Sequence, residues 1–335
     1  MSKYIVTGAS GFIGNALTKK LLANGDEVWA IVRSKDKMHN LDSANLHIVE
    51  ADFTQYSQLS DMIAEKDFDC FFHFAWQGYG KSTNDFYTQI PNIIYACESA
   101  VAADKLRCKK FVFADSSHEF LKRKDNQGQT SFCSIYGAAK YAARRMCIAI
   151  LQNSDTQFMG VLFTNIFGVG DFSNRSTNTM LKKLLAGEDL DLTPQDVLYD
   201  WTYIDDCIDG VLSAVKSGKN NTVYYVGHKD LQTFGDIMSS VRDIVEPLAE
   251  LRFGKYPDNS FVDYSLIDLE SLRQDTGFEC KADFRESIMK TVEWLKEQNS
   301  DKKIGGGGGQ VKYLILLAYI AFLNKKFLGS RRRYK

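Results

Sequence analysis

The chain has 335 residues, a formal net charge of −1 and 44% hydrophobic residues, the balance of a soluble globular protein of one large domain or two small ones. Nothing in that charge favours nucleic acid as a partner. Seven cysteines form no CxxC pair, so a reduced cytoplasmic protein without a metal is expected, its thiols serving as packing.

Met1-Ser2-Lys3 leads straight into a strand pattern, leaving no room for a signal peptide. A strand begins at Ile5-Val6, and Asn15 to Asn24 reads as a helix with Ala16, Leu17, Leu21 and Leu22 inward. Glu27 to Val32 and His47 to Glu50 are the next strands. Cys70 to Ala75, Phe111 to Ala114 and Phe158 to Phe163 are buried-strand runs. Helical patterns over Tyr87–Lys105 and Tyr136–Gln152 fill the gaps. Strands alternating with helices predict a parallel, doubly wound sheet of Rossmann type over residues 1–165. After that the pattern loosens into loops around Gly168 to Arg175 and Asp189 to Tyr199. Helices are predicted at Asp205–Lys216, Phe234–Val245 and Phe284–Glu297, with a short strand at Thr222–Val226. A smaller α/β substrate subdomain over 166–300, partly returning to the core, follows from this, with a cleft between the two parts.

The five glycines Gly305 to Gly309 predict a flexible linker over 301–310. In the tail, 311–335, eleven apolar or aromatic residues from Tyr313 to Leu323 are flanked by Lys312, Lys325, Lys326, Arg331, Arg332 and Arg333. That run is short of the roughly 20 residues a bilayer span needs and suits an interfacial helix on an anionic membrane surface. A docking segment for a partner, or an incidental extension, are the alternatives.

Tyr4-Ile5-Val6-Thr7 runs into Gly8-Ala9-Ser10-Gly11-Phe12-Ile13-Gly14. Glycines at this spacing after a first strand permit a tight turn, close backbone approach to phosphate, and tight packing of the next helix on the sheet. A pyrophosphate would sit at that helix's amino terminus. The second strand ends in Val32-Arg33-Ser34, with no acid to hold a ribose 2′-hydroxyl. A cation and a hydroxyl there favour the 2′-phosphate of NADP, with NAD as the alternative.

Tyrosine followed four residues later by lysine is a weak signal in a chain with sixteen tyrosines, and both Tyr136/Lys140 and Tyr225/Lys229 share the spacing. Tyr136-Gly137-Ala138-Ala139-Lys140 is a small-residue helical run, which places both side chains on one face. Tyr225 lies in the strand-like Val223-Tyr224-Tyr225-Val226 and reads as a sheet aromatic. A phenol of pKa ~10 needs a neighbouring cation to act near neutral pH, which Lys140 supplies. Ser116, at the end of the strand from Phe111, could orient the reacting oxygen, and Ser117 is the neighbouring candidate.

With these motifs in order, the chain resembles the extended short-chain dehydrogenase/reductase family, mostly nucleotide-sugar enzymes, over about residues 3–298. The resemblance implies that Asp52, next to Phe53, contacts the adenine amino group. It implies that His73-Phe74-Ala75 lines the cofactor ribose, and that Lys140 binds it. Asn165 in Asn165-Ile166-Phe167-Gly168 matches a substrate-side asparagine, and Tyr203-Ile204-Asp205-Asp206 the tract opening a helix behind the substrate pocket. Trp76, Ser117, Asn165, Arg175 and Tyr199 are the expected substrate contacts. Tyr199 stands where the family often has a phosphate-gripping arginine. Asp258 and Asn259 beside Pro257 replace a basic residue often found there, so Arg175, Lys182, Lys183 and Arg252 are candidates for that charge. Ser117 and His118 stand where family dehydratases carry an acid pair, which argues against 4,6-dehydration. Glu119 reads as a surface charge.

The leading expectation is an NADPH-dependent reductase of a nucleotide-linked 4-keto-6-deoxy sugar. Tyr136 would donate the proton, Lys140 tune it, and Ser116 orient the carbonyl. A nucleotide-sugar epimerase using the same residues is the first alternative, and a cofactor-binding scaffold without turnover the second. A homodimer is the expected assembly.

Overall fold

The computed structural model describes residues 1–38, 41–80, 82–124, 130–132, 134–258 and 260–304. Residues 305–310 of the expected linker, the tail and Asn259 lie outside the described residues, whereas residues 301–304, expected as linker, continue the helix that begins at Phe284.

A seven-stranded, wholly parallel sheet forms the centre. Its strands are β1 (Lys3–Thr7), β2 (Glu27–Val32), β3 (Leu46–Glu50), β4 (Cys70–His73), β5 (Lys110–Ser116), β6 (Gln157–Phe163) and β7 (Thr222–Tyr225). Their spatial order is β7-β6-β5-β4-β1-β2-β3. The order reverses between β1 and β4, so their carboxyl ends frame the crevice where such sheets take ligands.

Successive strand residues point to opposite faces, and both faces are covered, which is why these strands read as unbroken apolar runs. Val6, Phe72 and Val112 face one core layer, and Ile5, Phe71, Phe111 and Phe113 the other. The first layer is closed by α1 (Phe12–Ala23), the second by α2 (Phe86–Lys105) and α3 (Ile135–Leu151). Alanines make the close packing of α2 and α3 possible: Ala96, Ala100 and Ala143 are fully buried.

The helix boundaries carry local chemistry. Ser134 caps α3 by accepting a hydrogen bond from Gly137 N at 3.0 Å. The helix predicted from Asn15 begins at Phe12, because the glycine turn brings the chain into helical geometry at once. Helix α4 (Ser176–Leu185) was not expected from the sequence. Two of its buried positions are the polar Thr177 and Asn178, which masks the apolar period, and Asn178 Nδ2 donates to Asp171 O at 2.6 Å.

Among the described residues, helices α5 (Ile204–Ser217), α6 (Phe234–Val245) and α7 (Phe284–Ile304) follow, with a short helix at Ser271–Thr276. Small ladders lie beside the main sheet. Asn165–Phe167 runs parallel to Trp201–Tyr203, and Leu121–Lys124 joins Thr130–Phe132 and Ser260–Val262 in an antiparallel sheet. The Asp200 carboxylate anchors this region. It accepts from Tyr225 Oη at 2.5 Å, Thr202 Oγ1 at 3.1 Å, His228 N at 3.0 Å and His228 Nδ1 at 2.7 Å. Tyr225 is thus a buried sheet aromatic, and Lys229 pairs with Asp230.

A buried carboxylate with four donors leaves all four unpaired when removed. Asp200→Ala is expected to lower stability by about 3–5 kcal/mol, read from the denaturant midpoint at constant slope. A loss under 1 kcal/mol would show that Asp200 does not organise this region.

Candidate active site

The turn from β1 into α1 is built by close backbone approach. Gly8 has φ +71°, and a Cβ there would lie 2.8 Å from Ala75 N. A Cβ on Gly14 would lie 2.2 Å from Gly8 O. Gly11 N donates to Gly8 O at 2.9 Å, and Gly11 caps α1 with no side-chain cap and no acid in the first turn. The amino-terminal N–H groups of α1 therefore face a cradle without a side chain to fill it, and this fits a dinucleotide pyrophosphate. Ser10, Phe12 and Ile13 are half-buried around it.

Arg33 is exposed and Ser34 half-buried just past β2, and among the described residues Arg33 has no ion-pair partner. Asp52 caps the turn Phe53–Gln58, accepting from Thr54 N at 2.7 Å and Thr54 Oγ1 at 2.6 Å, and these bonds hold its carboxyl below the usual range. The Phe53 ring stacks on Tyr95 at 4.9 Å. Phe74 and Ala75 follow β4 directly, Phe74 edge-on to Phe163 at 5.8 Å. His73 is buried within a stack with Phe111 and Phe113, which drives its pKa down to about 3, so it is neutral.

Tyr136 stands on the first turn of α3, 6% exposed. Its ring is boxed by Trp76 at 5.9 Å, Tyr79 at 5.3 Å and His118 at 5.3 Å. Tyr136 N donates to Thr83 O at 3.0 Å, which ties the loop after β4 over the helix. Burial pushes the phenol far above its ordinary pKa, and Ser116 acts in the opposite direction as a hydroxyl partner. Ser116 ends β5, and its Oγ also accepts from His118 N at 3.3 Å. Ser117 beside it is buried too.

Lys140 lies one turn along α3 and is 3% exposed. Its Nζ donates to Ala114 O at 2.7 Å and sits 3.9 Å from the centre of the Trp76 ring. Burial lowers its pKa to about 7, against the pull of Asp115. Trp76 is thus placed under the lysine, and its Nε1 donates to Gln89 Oε1 at 2.9 Å.

Residues expected on the substrate side have internal partners. Arg175 pairs with Asp171 at 2.6 Å and lies 5.1 Å over the Phe12 ring. Asn165 Nδ2 donates to Asp200 O at 3.2 Å, and Tyr199 packs on Phe234 at 4.8 Å. Arg252 is engaged by Asp189 and Asp191. A cavity of about 520 Å³ is lined by Tyr199, Asp200, His228, Ile237 and Phe284, and Ser116, Tyr136 and Lys140 do not line it.

The sequence reading missed a charge cluster beneath the site. Glu119 is not a surface charge: its side chain is 9% exposed and paired with Arg144, which also holds Asp115 at 3.1 Å. One guanidinium serves two buried carboxyls. Burial, then the Asp115 charge, raises Glu119 to about 7, and burial raises Asp115 as well. Arg144 follows Lys140 by four residues on α3, so helical spacing offered a signal for that link. Tyr79 and His118 could be found only from tertiary packing.

Residues 4–227 match the profile of the NAD dependent epimerase/dehydratase family. The chain belongs to that family. This family member is an enzyme of the extended short-chain dehydrogenase/reductase type, as the sequence resemblance implied. It is 21% identical to UDP-glucuronate 4-epimerase 2 of Arabidopsis thaliana over 331 residues, covering 87% of this chain and 75% of that protein. Its fold matches that of UDP-glucuronic acid 4-epimerase from Bacillus cereus in complex with NAD, with TM-score 0.72, 22% identity, and coverage of 88% and 99%. It also matches dTDP-glucose 4,6-dehydratase from Streptomyces venezuelae, with TM-score 0.73, 17% identity, and coverage of 89% and 98%.

The Glu119 cluster gives a pH prediction. Glu119 titrates near 4.5 when unfolded and near 7 when folded. The stability it contributes is present below about pH 4.5 and is lost as pH rises through about 7. Relative to Glu119→Gln, the native protein should lose stability between pH 5 and 8 in denaturant titrations. A difference that does not change with pH would contradict the assignment.

Proposed function

We propose that the protein inverts the C4 centre of a nucleotide-linked sugar of the UDP-glucuronate class, with residues 1–165 holding the cofactor and 166–300 most of the substrate. The observation that carries this reading is the assembly of Ser116, Tyr136 and Lys140 at the sheet's carboxyl edge, in a chain whose relatives, matched over 87–89% of its length, include several UDP-glucuronate 4-epimerases. The glycine cradle fits a nicotinamide dinucleotide, which when bound supplies reversible hydride exchange at the sugar carbon.

Tyr136 takes the proton of the C4 hydroxyl and, once the keto sugar has turned its other face toward the cofactor side, returns it to the same oxygen, so that C4 is inverted. Ser116 holds that oxygen against the phenol. Lys140, already poised to lose or hold its proton near neutral pH, stabilises the phenolate. Trp76, Tyr79 and His118 pack around the Tyr136 ring and leave it 6% exposed, which limits water at this exchange. His118 stays neutral because burial drives its pKa to about 4, so it adds no competing charge.

One observation favours a second reading. Arg33 has no ion-pair partner among the described residues and stands with Ser34 where a 2′-phosphate would lie, which suits a reductase consuming NADPH. A homodimer is supported by an apolar stripe on α2, where Phe86, Tyr87, Ile90 and Ile94 are each about half or more exposed. No described helix is long and apolar enough to cross a membrane.

UDP-glucuronate and other UDP-sugars, supplied without any reductant, should be converted to their C4 epimers with no net change in cofactor absorbance. Tyr136→Phe should slow this roughly 10²-fold or more while leaving cofactor binding intact. Turnover seen only with a 4-keto sugar and stoichiometric loss of NADPH would establish the reductase instead. In binding titrations, Arg33→Ala should weaken NADP and leave NAD unchanged. An equal effect on both would remove Arg33 from cofactor choice.

A further inference from the structure

Three segments far apart in sequence converge beside the Asp200 anchor, outside the proposed active site. Asp206 lies in the first turn of α5, His228 follows β7, and Cys280 follows the short helix Ser271–Thr276. Gly277, at φ +73°, ends that helix and turns the chain back toward α5. One ring nitrogen of His228, a carboxylate oxygen of Asp206 and Cys280 Sγ lie within 4.8 Å of one another.

We propose that Asp206, His228 and Cys280 form a Zn²⁺ site that staples α5, the segment after β7 and the segment after Ser271–Thr276. It is independent of the reaction proposed above. Zinc bonds of about 2.0–2.3 Å place tetrahedral ligands roughly 3.3–3.7 Å apart, so closure needs movements of about 1 Å. Two of the three donors are already fixed. His228 Nδ1 is bonded to Asp200 Oδ1 at 2.7 Å, which leaves Nε2 as the nitrogen able to ligate, in the carboxylate–histidine–metal pattern. Asp206 accepts Lys281 N at 2.9 Å and Ala282 N at 3.0 Å, which anchors the chain beside Cys280 and leaves lone pairs on both oxygens.

An oxygen, nitrogen and sulfur set suits Zn²⁺ and not Mg²⁺ or Ca²⁺. A fourth position can be filled by water from the cavity of about 190 Å³ that Gly227, His228 and Cys280 line. Binding exchanges the Cys280 S–H bond for S–Zn and releases that proton to solvent. With His228 neutral, binding takes the half-buried site from a net charge of −1, carried by Asp206, to zero. Sequence spacing could not show it, since 206, 228 and 280 match no ligand motif.

The test uses full-length protein stripped with a chelator and titrated with Zn²⁺ against a chromophoric competitor. One equivalent should bind, and the melting temperature should rise. Cys280→Ser and His228→Gln should each weaken binding at least about 10-fold. Cys97→Ser, at a half-buried thiol elsewhere, should leave it unchanged. Co²⁺ loading should give a thiolate charge-transfer band that Cys280→Ser abolishes. No stoichiometric binding, or binding that survives both ligand variants, would overturn the site. Should a variant fail to fold, a cobalt spectrum of the native protein without the thiolate band overturns it alone.

Discussion

Lys140 carries an ammonium where almost no water reaches, and much of the molecule is arranged around that fact. A buried cation is costly unless its donors are used and opposite charge stands near. Here the Ala114 carbonyl accepts one hydrogen bond from Nζ, the Trp76 face lies at 3.9 Å, and Asp115 supplies the opposing charge. Each of these needs tight packing of α3 on β5, which the alanines of α3 allow. Asp115 in turn is held by Arg144 one turn further along the same helix, and Arg144 must also serve Glu119. The charge on Lys140 is therefore set through a chain of buried groups and not by Lys140 alone.

The same packing explains why Tyr136 needs help to ionise. Its phenol is enclosed by three aromatic residues, and burial disfavours the phenolate. Enclosure keeps water from the reacting oxygen, and its electrostatic cost is offset only by nearby positive charge. Lys140, its pKa lowered by burial to about 7, responds to whatever charge binds beside it. A site of this kind is suited to a proton that leaves and returns within one turnover.

Much of the plan was legible in the sequence. Period-two burial on both sheet faces writes itself as apolar runs, so β1, β2, β5 and β6 were placed to within a few residues, and the glycine turn located the crevice. Ser116, Tyr136 and Lys140 could be picked out because strand end and helix face fix their relative position. What escaped was non-local. Glu119 reads as solvated until Arg144 is folded against it, Tyr79 and His118 gain meaning only around Tyr136, and α4 hides behind buried Thr177 and Asn178. The leading functional expectation rested on Arg33 and Ser34, two residues at one strand end. The similarity to 4-epimerases spans most of the chain and weighs the other way.

In the proposed reaction one hydrogen leaves C4 of the sugar and returns to the same carbon without exchanging with solvent. UDP-glucuronate labelled with deuterium at C4 tests it directly. The inverted product should keep the label at C4, with none appearing in solvent and none gained from D₂O by unlabelled substrate. Loss of the label, or its replacement from solvent, would rule that reaction out.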